Sequence, residues 1–243
     1  RQAIAQAPDG ARLEIAAGRY DGPLVLRKSV TLAGDAAGDA AGDAAGDVIS
    51  VCIDGGGNGA VLTLQGRANR VELSGIRLVG GHARAGGGVV VPDGAWLTVR
   101  DCSVEGCQAP GQGGGGLWAR RGELLFERVR FANNAASTGG AVLLSGDVQA
   151  RFVGCTFEDN RASGAGGGLA ARDRAAVVLE ACVFAGNEAA LPGDGRGDAL
   201  HVALSPIATV PVVVTDCTLD GDADAAWDER ADGRDLRRSP PSN

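Results

Sequence analysis

One pattern occurs three times between residues 113 and 187. It reads Gly114-Gly115-Gly116-Leu117, then Phe131-Ala132-Asn133-Asn134. It returns as Gly139-Gly140-Ala141-Val142 with Phe157-Glu158-Asp159-Asn160, and as Gly166-Gly167-Gly168-Leu169 with Phe184-Ala185-Gly186-Asn187. Two or three glycines precede an aliphatic run, and Phe-x-x-Asn follows about fifteen residues later. A period of roughly 25–27 residues marks a stacked repeat, because one such unit cannot bury its apolar face alone and must lie against a near copy of itself.

The repeat can be tested by columns. With the Phe of Phe-x-x-Asn as position zero, the column is Leu78, Val104, Phe131, Phe157, Phe184 and Leu219. Two residues earlier stand Ile76, Cys102, Val129, Cys155, Cys182 and Cys217. Five earlier stand Leu73, Val99, Phe126, Phe152, Leu179 and Val214, and seven earlier Val71, Leu97, Leu124, Ala150, Val177 and Val212. All are apolar or Cys, and the residues between them, such as Arg77, Ser103, Arg130 and Thr156, are mostly polar. This is the period-two alternation of a strand, broken at −4/−3 where the chain turns a corner. Two strands per coil follow, and the Gly-Gly-x-aliphatic run supplies a third. Parallel stacking at about 4.8 Å over about seven coils makes a rod some 30–35 Å long, and parallel crossovers favour the right hand.

The ends and interruptions fit this frame. Residues 1–12, with Ile4 and Ala7 on one side and Pro8-Asp9-Gly10 closing the stretch, read as a short helix capping the first sheet edge. Residues 34–47 repeat Gly-Asp-Ala-Ala; they read as a solvated loop inserted at a corner, not as a calcium site. Residues 205–211 widen the corner of the last coil. The β-helix is expected to span 1–222, with 223–243 as a C-terminal cap around Trp227 and a flexible tail.

The opening, Ala-Pro-Asp-Gly-Ala-x-Leu-x-Ile-x-x-Gly-x-Tyr followed by Lys-Ser-Val-Thr-Leu-x-Gly, resembles the first coil of pectin-lyase-like right-handed β-helices. The Gly-Gly-x-aliphatic and Phe-x-x-Asn pairs resemble repeats of the polymorphic outer-membrane protein family of surface proteins. The resemblance covers most of residues 1–222 and implies an all-β, right-handed parallel β-helix with a short N-terminal capping helix.

Composition narrows the function. The net charge of −7 argues against a nucleic-acid surface, which needs a basic stripe. No apolar run approaches a membrane span. The chain opens at Arg1 without a signal peptide, and so reads as a piece of a longer or processed protein. Of its six cysteines, Cys102, Cys155, Cys182 and Cys217 share one inward column; stacked Cβ vectors favour free, buried thiols over disulfides. Cys52 and Cys107 fall outside that column and are expected to be more accessible. Asn134, Asn160 and Asn187 share position +3 and read as an asparagine ladder that satisfies turn backbone.

The three-glycine runs lack Gly-Lys-Ser/Thr and a following helix, so they are turns and not phosphate loops. Arg196-Gly197-Asp198 matches a cell-adhesion tripeptide, but Gly197 reads as a turn glycine. The motifs of polygalacturonases and pectin methylesterases do not occur. The nearest catalytic candidates are Asp194, Arg196, Asp198 and His201 in the widened loop before the last coil, with Asp159 and Arg161, two coils away, as further members. His82 reads as a surface residue.

The expected function is a non-catalytic binding or scaffold module of a larger, surface-associated or secreted protein. It needs no cofactor or metal, and its partner is a protein or glycan. Its contact rim is formed by residues 80–87, 105–115, 132–140, 158–167 and 185–198, with Gln108, Gln112, Asp159 and Arg161 as binding candidates. The alternatives are a carbohydrate-active enzyme of lyase or hydrolase type, and a module that self-associates through its coil ends.

Overall fold

The structure is a computed structural model that describes residues 1–34, 49–190, 198–205, 212–219, 227–229 and 237–238. It is a parallel β-solenoid. Two strand tracks, joined end to end through the long strands Leu117–Glu127 and Val142–Val153, form a 15-stranded sheet; an 8-stranded and a 4-stranded sheet complete the cross-section. Three of the four columns read from the sequence, at positions 0, −5 and −7, are register lines of these sheets. Leu78, Val104, Phe131, Phe157, Phe184 and Leu219 are successive partners in the second sheet. Leu73, Val99, Phe126, Phe152, Leu179 and Val214 are successive partners in the first.

The second sheet has eight strands. The third sheet has four, Gln108–Ala109, Ala135–Ala136, Arg161–Ala162 and Glu188–Ala189, preceded by a single bridge from His82 to Gln108. The three-sided cross-section is therefore developed over about five turns, fewer than the seven expected. Trp227–Glu229 and Arg237–Arg238 pair with the last coil and carry the first sheet past residue 222. Most of the Gly-Asp-Ala-Ala tract and of the second insertion lies outside the described residues.

The corners explain the break in alternation. Gly75, Asp101, Arg128, Gly154, Ala181 and Asp216 stand at −3, all with φ between 50 and 61°. One left-handed residue per coil reorients the chain and restarts the strand. Gly80, Gly106, Asn133, Asp159 and Gly186 do the same at +2, with φ between 52 and 64°. A residue other than glycine in this conformation costs about 1–2 kcal/mol, so a packed neighbourhood must hold Arg128, Ala181 and the others in place.

The Gly-Gly motif follows from how closely the third sheet approaches. A Cβ on Gly115, Gly140 or Gly167 would lie 2.6–2.7 Å from backbone atoms of Ala135, Arg161 or Glu188. On Gly168 it would lie 2.7 Å from the ring of Phe184. The third sheet thus rests directly on glycine α-carbons, with no side-chain layer between.

The interior is two aromatic stacks set in an aliphatic column. Phe126 and Phe152 stack at 4.9 Å. Phe131, Phe157 and Phe184 stack at 5.2 and 4.3 Å. The two stacks meet edge to face at 5.6 Å. All five rings are essentially fully buried, and stacked or edge-on pairs add about 0.5–1.5 kcal/mol each beyond area burial. At the N-terminal end lies a helix, Gln2–Gln6, with Ile4 packed against the core. Its last carbonyls accept from Lys28, whose Nζ lies 3.0 Å from Ala5 O and 2.7 Å from Ala7 O, a cation at the negative end of the helix.

Candidate functional site

The described candidates occupy different positions on the coils. Asp194 and Arg196 lie outside the described residues. Asp198 accepts at its Oδ1 from the Ala189 N–H at 2.7 Å, so its carboxylate ties the turn that leads out of the third sheet. His201 is half-buried in the strand Leu200–Leu204, in register with Ala170. Asp159 is a second-corner residue, with φ 52° and its N–H bonded to Ala185 O. Arg161 is exposed on the third sheet and pairs with Glu188 of the next coil at 3.1 Å. Gln108 is exposed one coil before Ala135 in the same sheet, and Gln112 is exposed in the loop beyond it.

The expected contact rim is therefore not a set of free loops. Its segments are stacked coil by coil: Gly80, Gly106, Asn133 and Asp159 each donate a backbone N–H to the following coil. The outward line of the third sheet runs His82, Gln108, Ala135, Arg161 and Glu188.

A second polar row lies on the outward face of the second sheet. Arg77 reaches Glu105 at 3.5 Å, Glu105 reaches Arg130 at 3.3 Å, and Arg130 reaches Glu158 at 3.0 Å. Arg19 pairs with Asp54 nearer the N-terminal end. Ser103 stands in register between Arg77 and Arg130; its hydroxyl is fully buried and finds no partner among the described residues. The Arg77–Glu105–Arg130–Glu158 chain was readable from the −1 and +1 columns, which alternate in charge.

Electrostatics at the corners follow the same coil-to-coil logic. Arg128 grips Asp101 with two hydrogen bonds, at 2.6 and 3.0 Å, and holds its carboxyl below the usual carboxylate range. Arg174 does the same to Asp147, at 2.6 and 2.8 Å. The Gly56 N–H, and next Arg19, hold Asp54 low.

All six cysteines are free. Cys102, Cys155 and Cys182 are buried, as the inward column requires, and Cys217 is half-buried. Cys107 departs from expectation. It is fully buried, because position +3 turns inward and not outward; burial pushes its thiol up to about 12. Cys52, the other cysteine outside the inward column, is half-exposed as anticipated, with its thiol raised by burial.

The position-+3 asparagines are hydrogen-bonded in series. Asn134 Nδ2 donates to Asn160 Oδ1 at 3.0 Å, and Asn160 Nδ2 to Asn187 Oδ1 at 2.9 Å. Each amide also donates to a backbone carbonyl of the preceding coil: Val104, Phe131 or Phe157.

At the N-terminal end a cavity of about 380 Å³ opens between the capping helix and the first coil. Ile4, Ile15, Tyr20, Leu24 and Ile53 give it apolar walls, and Arg1 and Asp21 stand at its polar side. Among the described residues no three His, Cys, Asp or Glu side chains gather to hold a metal, and no helix is long and apolar enough to cross a membrane.

No curated protein and no solved structure matches the chain. A family model described as a right-handed beta helix region matches residues 87–226, more than half of the sequence and the part that holds the Phe and Asn columns. With parallel register throughout that span, the chain belongs to the right-handed β-helix family.

Proposed function

We propose that this chain is a non-catalytic binding or scaffold module of a larger, surface-associated or secreted protein, and that its ligand is a protein or a glycan. One observation carries the reading: the charged side chains are matched between successive coils instead of converging on a point. Arg77–Glu105–Arg130–Glu158 and Arg161–Glu188 form rows at the coil spacing of about 4.8 Å on the second and third parallel sheets. Such rows present a flat, regularly spaced polar surface, whereas general acid–base chemistry needs groups within hydrogen-bond reach of one reacting atom. The Asn134, Asn160 and Asn187 series belongs to this reading as an asparagine ladder, a structural device that faces inward. In this reading the β-helix over 1–222 is the scaffold and 223–243 its cap, with Trp227–Glu229 and Arg237–Arg238 paired to the last coil.

The test pairs binding with turnover. The chain is screened on a glycan array and against polysaccharides, with release of reducing ends or unsaturated sugars as the turnover readout. Saturable binding that Arg161→Glu abolishes, without turnover, supports the module. Turnover that Asp198→Asn or His201→Ala removes would establish the carbohydrate-active enzyme instead. A third reading, assembly through coil ends, draws on the first strand of the second sheet: all four residues of Gly18–Asp21 are exposed. Sedimentation that stays at one species from micromolar to near-millimolar chain would set it aside.

A further inference from the structure

Three thiols stand in line at the C-terminal end of the stack. Cys155, Cys182 and Cys217 immediately precede Thr156, Val183 and Thr218, which are register partners in three successive coils. The Cys182 N–H donates to Cys217 Sγ at 3.3 Å, so each sulfur lies over the backbone of the coil before it. Each thiol donates to backbone carbonyls: Cys155 Sγ to Phe126 O at 3.5 Å, Cys182 Sγ to Phe152 O and Glu180 O at 3.4 Å, and Cys217 Sγ to Thr215 O at 3.3 Å.

We propose that Cys182 and Cys217 bind one soft, thiophilic cation of the Cu(I) or Ag(I) class, in linear two-sulfur coordination along the stacking axis. The argument is one of spacing. Parallel coils repeat at about 4.8 Å. Two metal–thiolate bonds of about 2.3 Å, end to end, span about 4.6 Å, so the cation fits with almost no movement of the coils. A disulfide, at about 2.05 Å, spans less than half the gap. Zinc wants four donors, and among the described residues no group of three or more His, Cys, Asp or Glu side chains is disposed to hold a metal ion, Cys155 in the neighbouring coil included. Soft sulfur donors in a two-coordinate arrangement select a d¹⁰ monovalent ion.

The balance is simple. Two S–H bonds break, two sulfur–metal bonds form, and two protons leave to solvent; the bis-thiolate complex carries one negative charge. A backbone donor to meet that charge is already in place: the Cys182 N–H faces Cys217 Sγ. Cys217 is half-buried while Cys155 and Cys182 are fully buried, so the ion enters at Cys217.

The experiment adds silver nitrate to the reduced whole chain, without chloride or added thiol, under argon. Native mass spectrometry and silver-edge X-ray absorption are read together. One silver held per chain, with two sulfur neighbours at about 2.4 Å, is expected. Cys217→Ser should weaken binding at least about tenfold, and Cys52→Ser should leave it intact. Silver that survives Cys217→Ser, or that shows a single sulfur neighbour, overturns the site. Should Cys217→Ser fail to fold, alkylation of the native chain decides. Bound silver should block iodoacetamide at Cys217 and spare the reaction at Cys52; an unchanged rate at Cys217 refutes the proposal.

Discussion

The two corners of each coil use the same backbone device and bury different side chains behind it. At both, one left-handed residue turns the chain. The position that follows the first corner holds Ile76, Cys102, Val129, Cys155, Cys182 and Cys217; the position that follows the second holds Gly81, Cys107, Asn134, Asn160 and Asn187. Their chemistry converges. After the second corner, the N–H groups of Cys107, Asn134 and Asn160 donate to the amide oxygen of the next coil, at 3.0 to 3.2 Å. After the first corner, the N–H groups of Ile76 and Cys182 donate to the sulfur of the next coil, at 3.4 and 3.3 Å. In both places the turn carries a backbone donor away from the carbonyl ladder, and a side-chain atom one coil on receives it. A buried donor left alone costs about 1–3 kcal/mol, so the column must supply an acceptor. Cysteine supplies a weak one and fills apolar space; asparagine supplies a strong one and donates onward.

The core between the corners sets the largest scale. Phe157→Ala should cost about 3–5 kcal/mol in urea denaturation, since its ring is fully buried and stacked on both sides. A cost close to zero would mean that the corners alone, and not the column between them, hold the coil.

Asn160→Ala comes next. It removes the acceptor for the Asn134 N–H and the donor to Phe131 O, and should cost about 2–3 kcal/mol. Asn160→Cys sharpens the comparison: a thiol should take over the Asn134 N–H and recover part of that loss. Equal instability of the two variants would show that sulfur and amide are not interchangeable at a corner.

Ala181→Gly acts in the opposite direction. Ala181 holds φ 50° at the first corner, and removing its Cβ should stabilise the chain by about 1 kcal/mol, less the glycine entropy of the unfolded chain. A thermal midpoint that falls would argue that the Cβ packs there.

The smallest effect concerns pH. Arg128 depresses the folded-state pKa of Asp101, so the pair's stabilisation is fully present above the unfolded value of about 4 and is lost as pH falls through the lower folded value. Both side chains are more than half exposed, which limits the contribution at pH 7 to no more than about 1 kcal/mol. Asp101→Asn should therefore flatten the acid limb of stability below about pH 4 and change little at neutrality. An unchanged acid limb would place the pair outside the folding equilibrium.

The inward columns were legible because strand alternation and a fixed period both print on the sequence: once Phe131, Phe157 and Phe184 are aligned, Leu73 through Val214 fall into line. The third sheet was not legible where it lies: the Gly-Gly-x-aliphatic run expected to supply it, at Leu117, Val142 and Leu169, belongs to the first sheet. The third sheet's strands hold two residues each, Gln108–Ala109 or Arg161–Ala162, and two residues cannot show an alternation. Cys107 deceived for a related reason. A corner residue reads as outward by default, yet the asparagines of its own column are buried, and that shared position determines its burial. Of the candidate site, Asp198 was legible as a polar group near a turn but not as a turn support, because a carboxylate that caps a backbone N–H and one that awaits a ligand look alike in sequence.

The glycines beneath the third sheet bear on how such a chain can be redesigned. At Gly140 an added carbon would reach 2.2 Å from Gly167 O, and at Gly167 2.6 Å from Asp198 O. A change in one coil is thus handed to its neighbour. A consensus cassette cut from this protein should therefore be copied whole, from one glycine pair to the next. Its outward residues are free to be rewritten for new ligands, while the glycines are kept as the thread pitch on which every added turn seats.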